Sequence, residues 1–283
     1  MDLSSDMAFR VYEQVFWGID RFLGNTLDED DSGARKPVTI PAGIPWYASH
    51  PDARMPPAFL PELLAEVSAR GITGLSLAGC RQLDDAAFAH LGAATSLGVL
   101  DLFNTRLTDA GVAALRTLTT LRSLNLAGTA ITDAAVEALV HLPSLETLHL
   151  GWTDLGDAAL ARLAAAPAMK TLDLRGTRIT DAGLASLAGA KGLRALSLQE
   201  TAIGDAGVAA LAPLAPVLES LYLGYTRVTN ACVPTLATFT RLRTLSLRGT
   251  VIGAEQEKRL AAALPSLGGV GTGPQGIQEG LIR

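Results

Sequence analysis

Apolar residues recur through most of the chain in two alternating spacings. In the stretch that begins at residue 121, Leu124 and Leu126 are two positions apart, which places both side chains on the same side of a strand. Further on, Val136 and Leu139 are three positions apart, which is a helical spacing. The pattern therefore predicts a short strand, a turn and a short helix.

This unit recurs every 24 or 25 residues, so that eight copies span residues 72–266. The copies begin at Ile72, Leu97, Leu121, Leu145, Met169, Leu193, Leu218 and Leu242. A fixed period of this length is typical of solenoids, in which no single unit buries its apolar face alone. We therefore expect the eight units to stack and to share one core.

Two polar positions recur between the strand and the helix. The ninth residue is Thr in every unit except the first, where it is Cys80. We expect the stacked hydroxyls to satisfy backbone groups in the turn, since no base is repeated beside them to make them nucleophiles. An Asp stands before the helical run in six units, with Asn230 in the seventh, and we predict that it caps its own helix.

The pattern LxxLxLxxTxITDAGLxxL, clearest in residues 121–144 and 169–192, resembles the leucine-rich repeat family. The repeat length and the helix-like second half are similar to its ribonuclease-inhibitor-like and cysteine-containing classes, and the Thr resembles bacterial versions. The resemblance implies an α/β leucine-rich repeat solenoid, a right-handed horseshoe with parallel strands on the concave face and short helices on the convex face. It also implies a protein partner.

The sequence outside the repeats predicts three further segments. Residues 1–56 are interpreted as an N-terminal helix and a Pro-rich linker, residues 57–71 as a capping helix, and residues 267–283 as a C-terminal cap and tail. The N-terminal helix is predicted over residues 5–24 because apolar residues share one face there: Phe9, Tyr12, Phe16, Ile19 and Leu23. This helix either covers the edge of the solenoid or docks a second partner, and its mixed charges disfavour a membrane surface.

Charge and composition narrow the classes of ligand. The net charge of −5 lies in residues 1–70, which hold 11 acidic and 6 basic residues, whereas residues 71–283 hold 17 of each. A neutral repeat body argues against a nucleic-acid partner, and no apolar run is long enough for a membrane span. Two cysteines and the absence of a basic leader favour a cytoplasmic location, with secretion into a host cell as an effector as the alternative.

Comparison among the repeats identifies a candidate surface. The eighth position is Gly in four units, and the exceptions, in a chain with only 5% aromatic residues, are Asn104, Trp152, Glu200 and Tyr225. Exposed rings mark interaction surfaces, and Trp, Tyr and Arg dominate binding hot spots. We predict a partner-binding patch on the concave face, unless the rings pack on neighbouring turns: Phe103, His149, Trp152, Asp173, Arg175, Glu200, Tyr222 and Tyr225.

His149 raises a chemical alternative. Asp173 lies one strand away from His149, and Asp101 lies two strands away. Three interpretations are open: a polar ladder, a base with its orienting acid, or a metal or small-ligand site. No nucleophile elbow, phosphate loop or HExxH motif supports catalysis. We therefore predict a non-enzymatic protein-interaction module with no catalytic residue, metal or cofactor. The alternatives are an adaptor or effector that recruits a second partner through residues 1–70, and a ligand site at His149 and Asp173.

Overall fold

The structure is a computed structural model that describes residues 10–13, 21–25, 46–49, 54–268 and 270–271. It divides into two compact units, Met1–Ala130 and Ile131–Arg283. Across the described residues, no helix is both long and apolar enough to cross a membrane.

The first unit contains six described strands. They are β1 (Arg10–Glu13), β2 (Arg21–Asn25), β3 (Trp46–Ser49), β4 (Gly74–Ser76), β5 (Val99–Asp101) and β6 (Ser123–Asn125). Strands β3 to β6 pair in parallel in chain order, while β1 pairs antiparallel with both β2 and β3. The strands of the first three repeats are thus extended on their N-terminal side by residues that precede the repeats.

This arrangement corrects the prediction for the N-terminal segment. A helix over residues 5–24 is wrong for residues 10–13 and 21–24, which belong to strands, and the other residues of that prediction lie outside the described residues. Val, Tyr and Phe are residues that favour strands, so the local apolar spacing was a weaker guide than pairing within a sheet. The pairing of β3 with β4 also covers the edge that the first repeat would otherwise leave open.

The second unit contains six strands that pair in parallel. They are β7 (Thr147–His149), β8 (Thr171–Asp173), β9 (Ala195–Ser197), β10 (Ser220–Tyr222), β11 (Thr244–Ser246) and β12 (Val270–Gly271). Equivalent repeat positions lie side by side: Leu148 pairs with Leu172, and Leu172 pairs with Leu196. The two-residue β12 adds a strand beyond the last repeat.

Short helices follow the strands, as the pattern predicts. The α-helices are α1 (Leu60–Ala69), α2 (Asp85–Phe88), α3 (Asp109–Val112), α4 (Val136–Leu139), α5 (Asp157–Leu163), α6 (Asp181–Leu184), α7 (Asp205–Ala210), α8 (Val233–Leu236) and α9 (Ala254–Ala263). Turns of 3₁₀-helix adjoin them at Pro57–Phe59, Ala89–Ala93, Ala113–Thr117, Asp133–Ala135, Ala185–Gly189, Ala212–Leu214 and Asn230–Cys232. The α/β class is confirmed in each unit.

The core lies between the strands and the helices. Leu121, Leu124 and Leu126, the first, fourth and sixth residues of the third repeat, are all fully buried, as the spacing predicts. Burying one such side chain stabilises a fold by about 1.5–3 kcal/mol. Phe88 and Phe239 are also fully buried, so the repeats accommodate two rings in a core that is otherwise aliphatic.

The repeated Asp does not cap its own helix, which corrects the second prediction for the turn. The N-cap is the preceding residue, because that residue has extended backbone and the Asp is already the first helical residue, as at Thr180 and Gly204. The Asp carboxylate instead accepts the N–H of the N-cap residue in the next repeat. Asp157 accepts from Thr180 at 2.7 Å, and Asp205 accepts from Thr229 at 2.7 Å. The Asp row therefore joins neighbouring repeats.

Candidate functional site

Every repeat turns sharply at its eighth residue, directly after the strand. The φ angle is positive at all eight of these positions, in the left-handed region that favours glycine. Four of the residues are glycines and four carry side chains. The angles at the latter are 54° for Asn104, 54° for Trp152, 56° for Glu200 and 56° for Tyr225. For a bulky side chain this backbone conformation is an outlier.

Two sets of hydrogen bonds hold this turn. The N–H of the eighth residue donates to the carbonyl of the next repeat's seventh residue, as Trp152 does to Arg175 at 2.7 Å. The ninth-position hydroxyl donates to the carbonyl three residues earlier, as Thr153 does to Leu150 at 2.6 Å. The predicted role of the Thr row is therefore confirmed. Because both bonds recur along the solenoid, the backbone keeps the turn whether or not the eighth residue is glycine.

Trp152 lies across the following repeat. A methyl group added at Gly176 would come within 2.5 Å of Cδ1 of the indole, so the ring needs the glycine beneath it. The guanidinium of Arg175 lies 4.8 Å from the ring centroid, within the range of a cation–π contact. Nε1 of the indole donates to Oε2 of Glu200 at 3.4 Å. The ring nonetheless remains 46% exposed.

Tyr225 repeats this arrangement three repeats further on. A methyl group at Gly249 would overlap its ring, and the guanidinium of Arg248 lies 5.6 Å from the ring centroid. The ring is 48% exposed. The residue before each ring is a glycine that packs closely against the next repeat, Gly151 in one case and Gly224 in the other. We call Trp152, Arg175, Glu200, Tyr225 and Arg248 together the ring surface.

The fifth residues of the repeats are less accessible than the sequence predicts. Asp173 and Tyr222 are buried, with 4% and 8% of their surface exposed. Oδ1 of Asp173 accepts the N–H of Arg175 at 3.0 Å, which orients the start of the turn. Burial raises the pKa of Tyr222, against hydrogen bonds with Ser220 and Thr244 that act to lower it. These side chains fill the space between neighbouring strands, so they support the turn that carries the rings.

His149 and Asp173 lie side by side, with 3.8 Å between Nδ1 and the carboxylate. His149 is half-buried. Within residues 54–268, no three His, Cys, Asp or Glu side chains are grouped so that they could hold a metal ion. The geometry is that of a paired His in a polar ladder along the strand face.

Phe103 belongs to the first unit. It is 37% exposed, and a methyl group at Gly128 would lie 3.6 Å from its Cε2 atom. Oδ1 of Asp101 accepts its N–H at 3.0 Å, the same bond that Asp173 makes to Arg175. The first unit therefore uses the same turn to present a ring from the seventh position instead of the eighth.

Cys80 and Cys232 are both buried and are not joined in a disulfide, as the sequence predicts. Burial, together with the adjacent charge of Asp205 and the hydrogen bond to it, raises the pKa of Cys232 to about 12. Burial also acts to raise the pKa of Asp205, but hydrogen bonds from Thr229 and Cys232 outweigh it, and this pKa is lowered. The Cys232 thiol therefore stays protonated at neutral pH and is not a nucleophile.

The sequence reading missed three members of the ring arrangement: Arg248, Gly176 and Gly249. A signal for them exists in the repeats. Gly151–Trp152 is followed one repeat later by Arg175–Gly176, and Gly224–Tyr225 is followed one repeat later by Arg248–Gly249. Comparing each ring with the same position of the next repeat identifies Arg248 in the same way as Arg175, and the two glycines with them.

Comparisons with known proteins agree with this architecture. One leucine-rich repeat family model matches residues 95–155, and a second matches residues 167–188 and 193–212. A search of curated proteins found no match to the chain.

Two solved structures from Listeria monocytogenes are similar. For internalin C2 the TM-score is 0.57 at 24% identity, over 74% of this chain and 84% of that one. For an internalin (inlF) the TM-score is 0.53 at 23% identity, over 75% of this chain and 64% of that one. These likenesses show a shared fold, and the family models show that residues 95–155, 167–188 and 193–212 consist of leucine-rich repeats.

Proposed function

We propose that this chain is a non-enzymatic protein-interaction module that binds a partner protein on the ring surface. Leucine-rich repeat proteins serve generally as protein-interaction modules, and their function resides in side chains placed on the common scaffold. In this chain those side chains are Trp152 and Tyr225, with the arginines that stack on them. Rings of this kind are frequent anchors in protein interfaces.

The observation that carries the proposal is a ring at a position where the backbone favours glycine. A left-handed residue with a Cβ atom costs about 1–2 kcal/mol relative to its right-handed form. Gly79, Gly128, Gly176 and Gly249 occupy the same turn position without that cost. Trp152 and Tyr225 incur the cost and still leave almost half of each ring exposed. Strain of this kind is typical of functional sites.

The partner surface that we propose is the row of turns at the ends of the strands. The strand face beside it is formed largely by small or buried side chains, including Ser197 at 0% exposure and Ser246 at 9%. Arg175 stacks on the Trp152 ring, and Asp173, which lies beside His149, accepts the N–H of Arg175 at the start of the turn. Phe103 lies in the first unit, where it is exposed and follows the same kind of Asp-supported turn, and we propose it as a partner contact of that unit alone.

The experiment is affinity capture from a lysate of the source cells, with the full chain as bait. The double variant Trp152→Ala/Tyr225→Ala should lose the captured protein while its thermal melt stays within a few degrees of the wild-type value. The matched control is His141→Ala/Arg162→Ala, which removes two exposed side chains from the helical side. Loss of the protein with the control alone would place the interface on the helices and refute the proposal.

The same capture distinguishes the adaptor alternative. An adaptor would lose one protein in the double variant and keep a second one through residues 1–70. Deletion of that segment is a poor test, since β3 pairs with β4 and its removal would open the sheet edge. Cys80 and Cys232 are buried and not joined in a disulfide, which suits a reducing compartment, and we propose that the module works in the cytoplasm.

A further inference from the structure

The Tyr225 end of the ring surface carries positive charge that is not paired with any carboxylate among the described residues. Arg248 stacks on the Tyr225 ring, and Arg227, two residues after Tyr225, is exposed. Neither guanidinium forms an ion pair with any of residues 54–268. By contrast, Arg178, which occupies the equivalent position to Arg227 two repeats earlier, is paired with Asp154 at 2.7 Å.

At the Trp152 end of the ring surface, a carboxylate of the same chain lies beside the ring. There the ring with its stacked arginine receives a carboxylate from the same chain, since Glu200 accepts the indole N–H at 3.4 Å. Glu200 stands two repeats after Trp152, at the same eighth position. Two repeats after Tyr225 the array has already ended, because Tyr225 lies in the seventh of eight repeats. The repeats that follow Tyr225 therefore contain no residue equivalent to Glu200.

An exposed apolar side chain stands in the repeat that follows Tyr225. Val251 is 72% exposed, and it lies two residues after Gly249, against which the Tyr225 ring packs. Tyr225 itself is 48% exposed. A ligand that covers both side chains must carry an apolar group next to its charge, since burying apolar surface stabilises a complex by about 25 cal/mol per Å².

We propose that Tyr225, Arg227, Arg248 and Val251 form a subsite for an acidic peptide segment of the partner protein. An Asp or Glu side chain of the partner binds Arg248 and Arg227, and a neighbouring apolar side chain covers Val251. Stacking on the ring limits the rotamers of Arg248, so less entropy is lost when its charge-assisted hydrogen bonds form. This inference rests on the proposed function and specifies the chemistry of its partner.

The probe is a library of random short peptides displayed on phage and selected on the immobilised full chain. We expect the recovered peptides to be enriched in Asp and Glu next to apolar residues, and to bind more weakly as salt is added. The double variant Arg227→Gln/Arg248→Gln should weaken the best of them by about tenfold or more. Arg178→Gln is the matched control, since it removes the same charge from a guanidinium that already has a partner, and it should leave binding unchanged.

Three outcomes overturn the inference. The first is recovery of neutral or basic peptides, or of none that depends on Tyr225. The second is equal loss of binding in the Arg178→Gln control. The third is capture of a lysate protein that fails with Trp152→Ala/Tyr225→Ala and persists with Arg227→Gln/Arg248→Gln. In that case the proposed function stands and the acidic chemistry of the partner does not.

A further arm uses a chain that ends at residue 271. The segment beyond it contains Glu279, which is an acidic group of the chain itself. If acidic peptides bind with the same affinity to the full and shortened chains, the partner supplies the carboxylate, as we propose. If they bind only to the shortened chain, its own C-terminal segment is the occupant and the inference is wrong.

Discussion

Replacement of Trp152 by glycine should give a more stable protein than its replacement by alanine. Both variants lose the indole, its contact with Arg175 and its hydrogen bond to Glu200. They differ only in the Cβ atom at a residue whose φ is 54°. The difference between the two variants therefore isolates the backbone strain from the packing of the ring.

The size of the difference follows from two opposing terms. A Cβ atom in the left-handed region costs about 1–2 kcal/mol. The additional freedom of glycine in the unfolded chain costs about 0.5–1 kcal/mol. We therefore expect the free energy of unfolding to be larger for Trp152→Gly than for Trp152→Ala by about 0.5–1 kcal/mol.

Urea denaturation followed by circular dichroism measures this difference, because the signal does not depend on the indole that both variants lack. Ala161→Gly is the matched control, since Ala161 is exposed in the middle of α5 with helical backbone. At this helical position the glycine variant should have a free energy of unfolding lower than that of the protein with Ala161 by about 0.5–1 kcal/mol. The sign of the Gly–Ala difference should thus reverse between the turn and the helix.

Equal stability of the two Trp152 variants, or a more stable alanine variant, would refute the reasoning. The turn would then adapt to the side chain, and the ring at this position would carry no strain. Backbone strain would then give no support to partner binding at Trp152, although the ring would still be exposed.

Two further predictions concern the bonds that hold the repeats. Thr177→Val removes the hydroxyl that donates to the carbonyl of Leu174, and it should lower the free energy of unfolding by about 1 kcal/mol in urea denaturation. For Asp205 the lowered pKa means that the unfolded state binds a proton more readily, so its stabilisation is complete at neutral pH and is lost as the pH falls through the acidic range. The difference in unfolding free energy between wild type and Asp205→Asn should accordingly shrink between neutral pH and about pH 3; a constant difference would contradict this.

The periodicity of the sequence predicts the repeat architecture well because the same residue type must fill the same place in every copy. Leu121, Leu124 and Leu126 are fully buried for that reason. The same logic identified Trp152 and Tyr225 as departures from a glycine column. It did not reveal the left-handed backbone, since that conformation depends on hydrogen bonds from one repeat to the next.

The errors arose where contacts beyond the repeat decide the structure. Residues 10–13 and 21–25 are strands because they extend a sheet, and spacing within the segment carries no information about that sheet. Tyr222 was expected on the surface as an aromatic residue on the strand face, but neighbouring strands bury it. Single-repeat reasoning likewise assigned the Asp cap to its own helix, although the carboxylate reaches the next repeat.

The central claim is that a partner protein binds the turns that carry the rings, and hydrogen–deuterium exchange of the captured complex tests it most directly. With the partner bound, exchange should slow in the peptides that contain residues 151–153, 199–201, 224–226 and 248–251. The helices α5 to α8 should be unchanged. Slower exchange confined to the helices, with the ring-bearing turns unaffected, would contradict the claim.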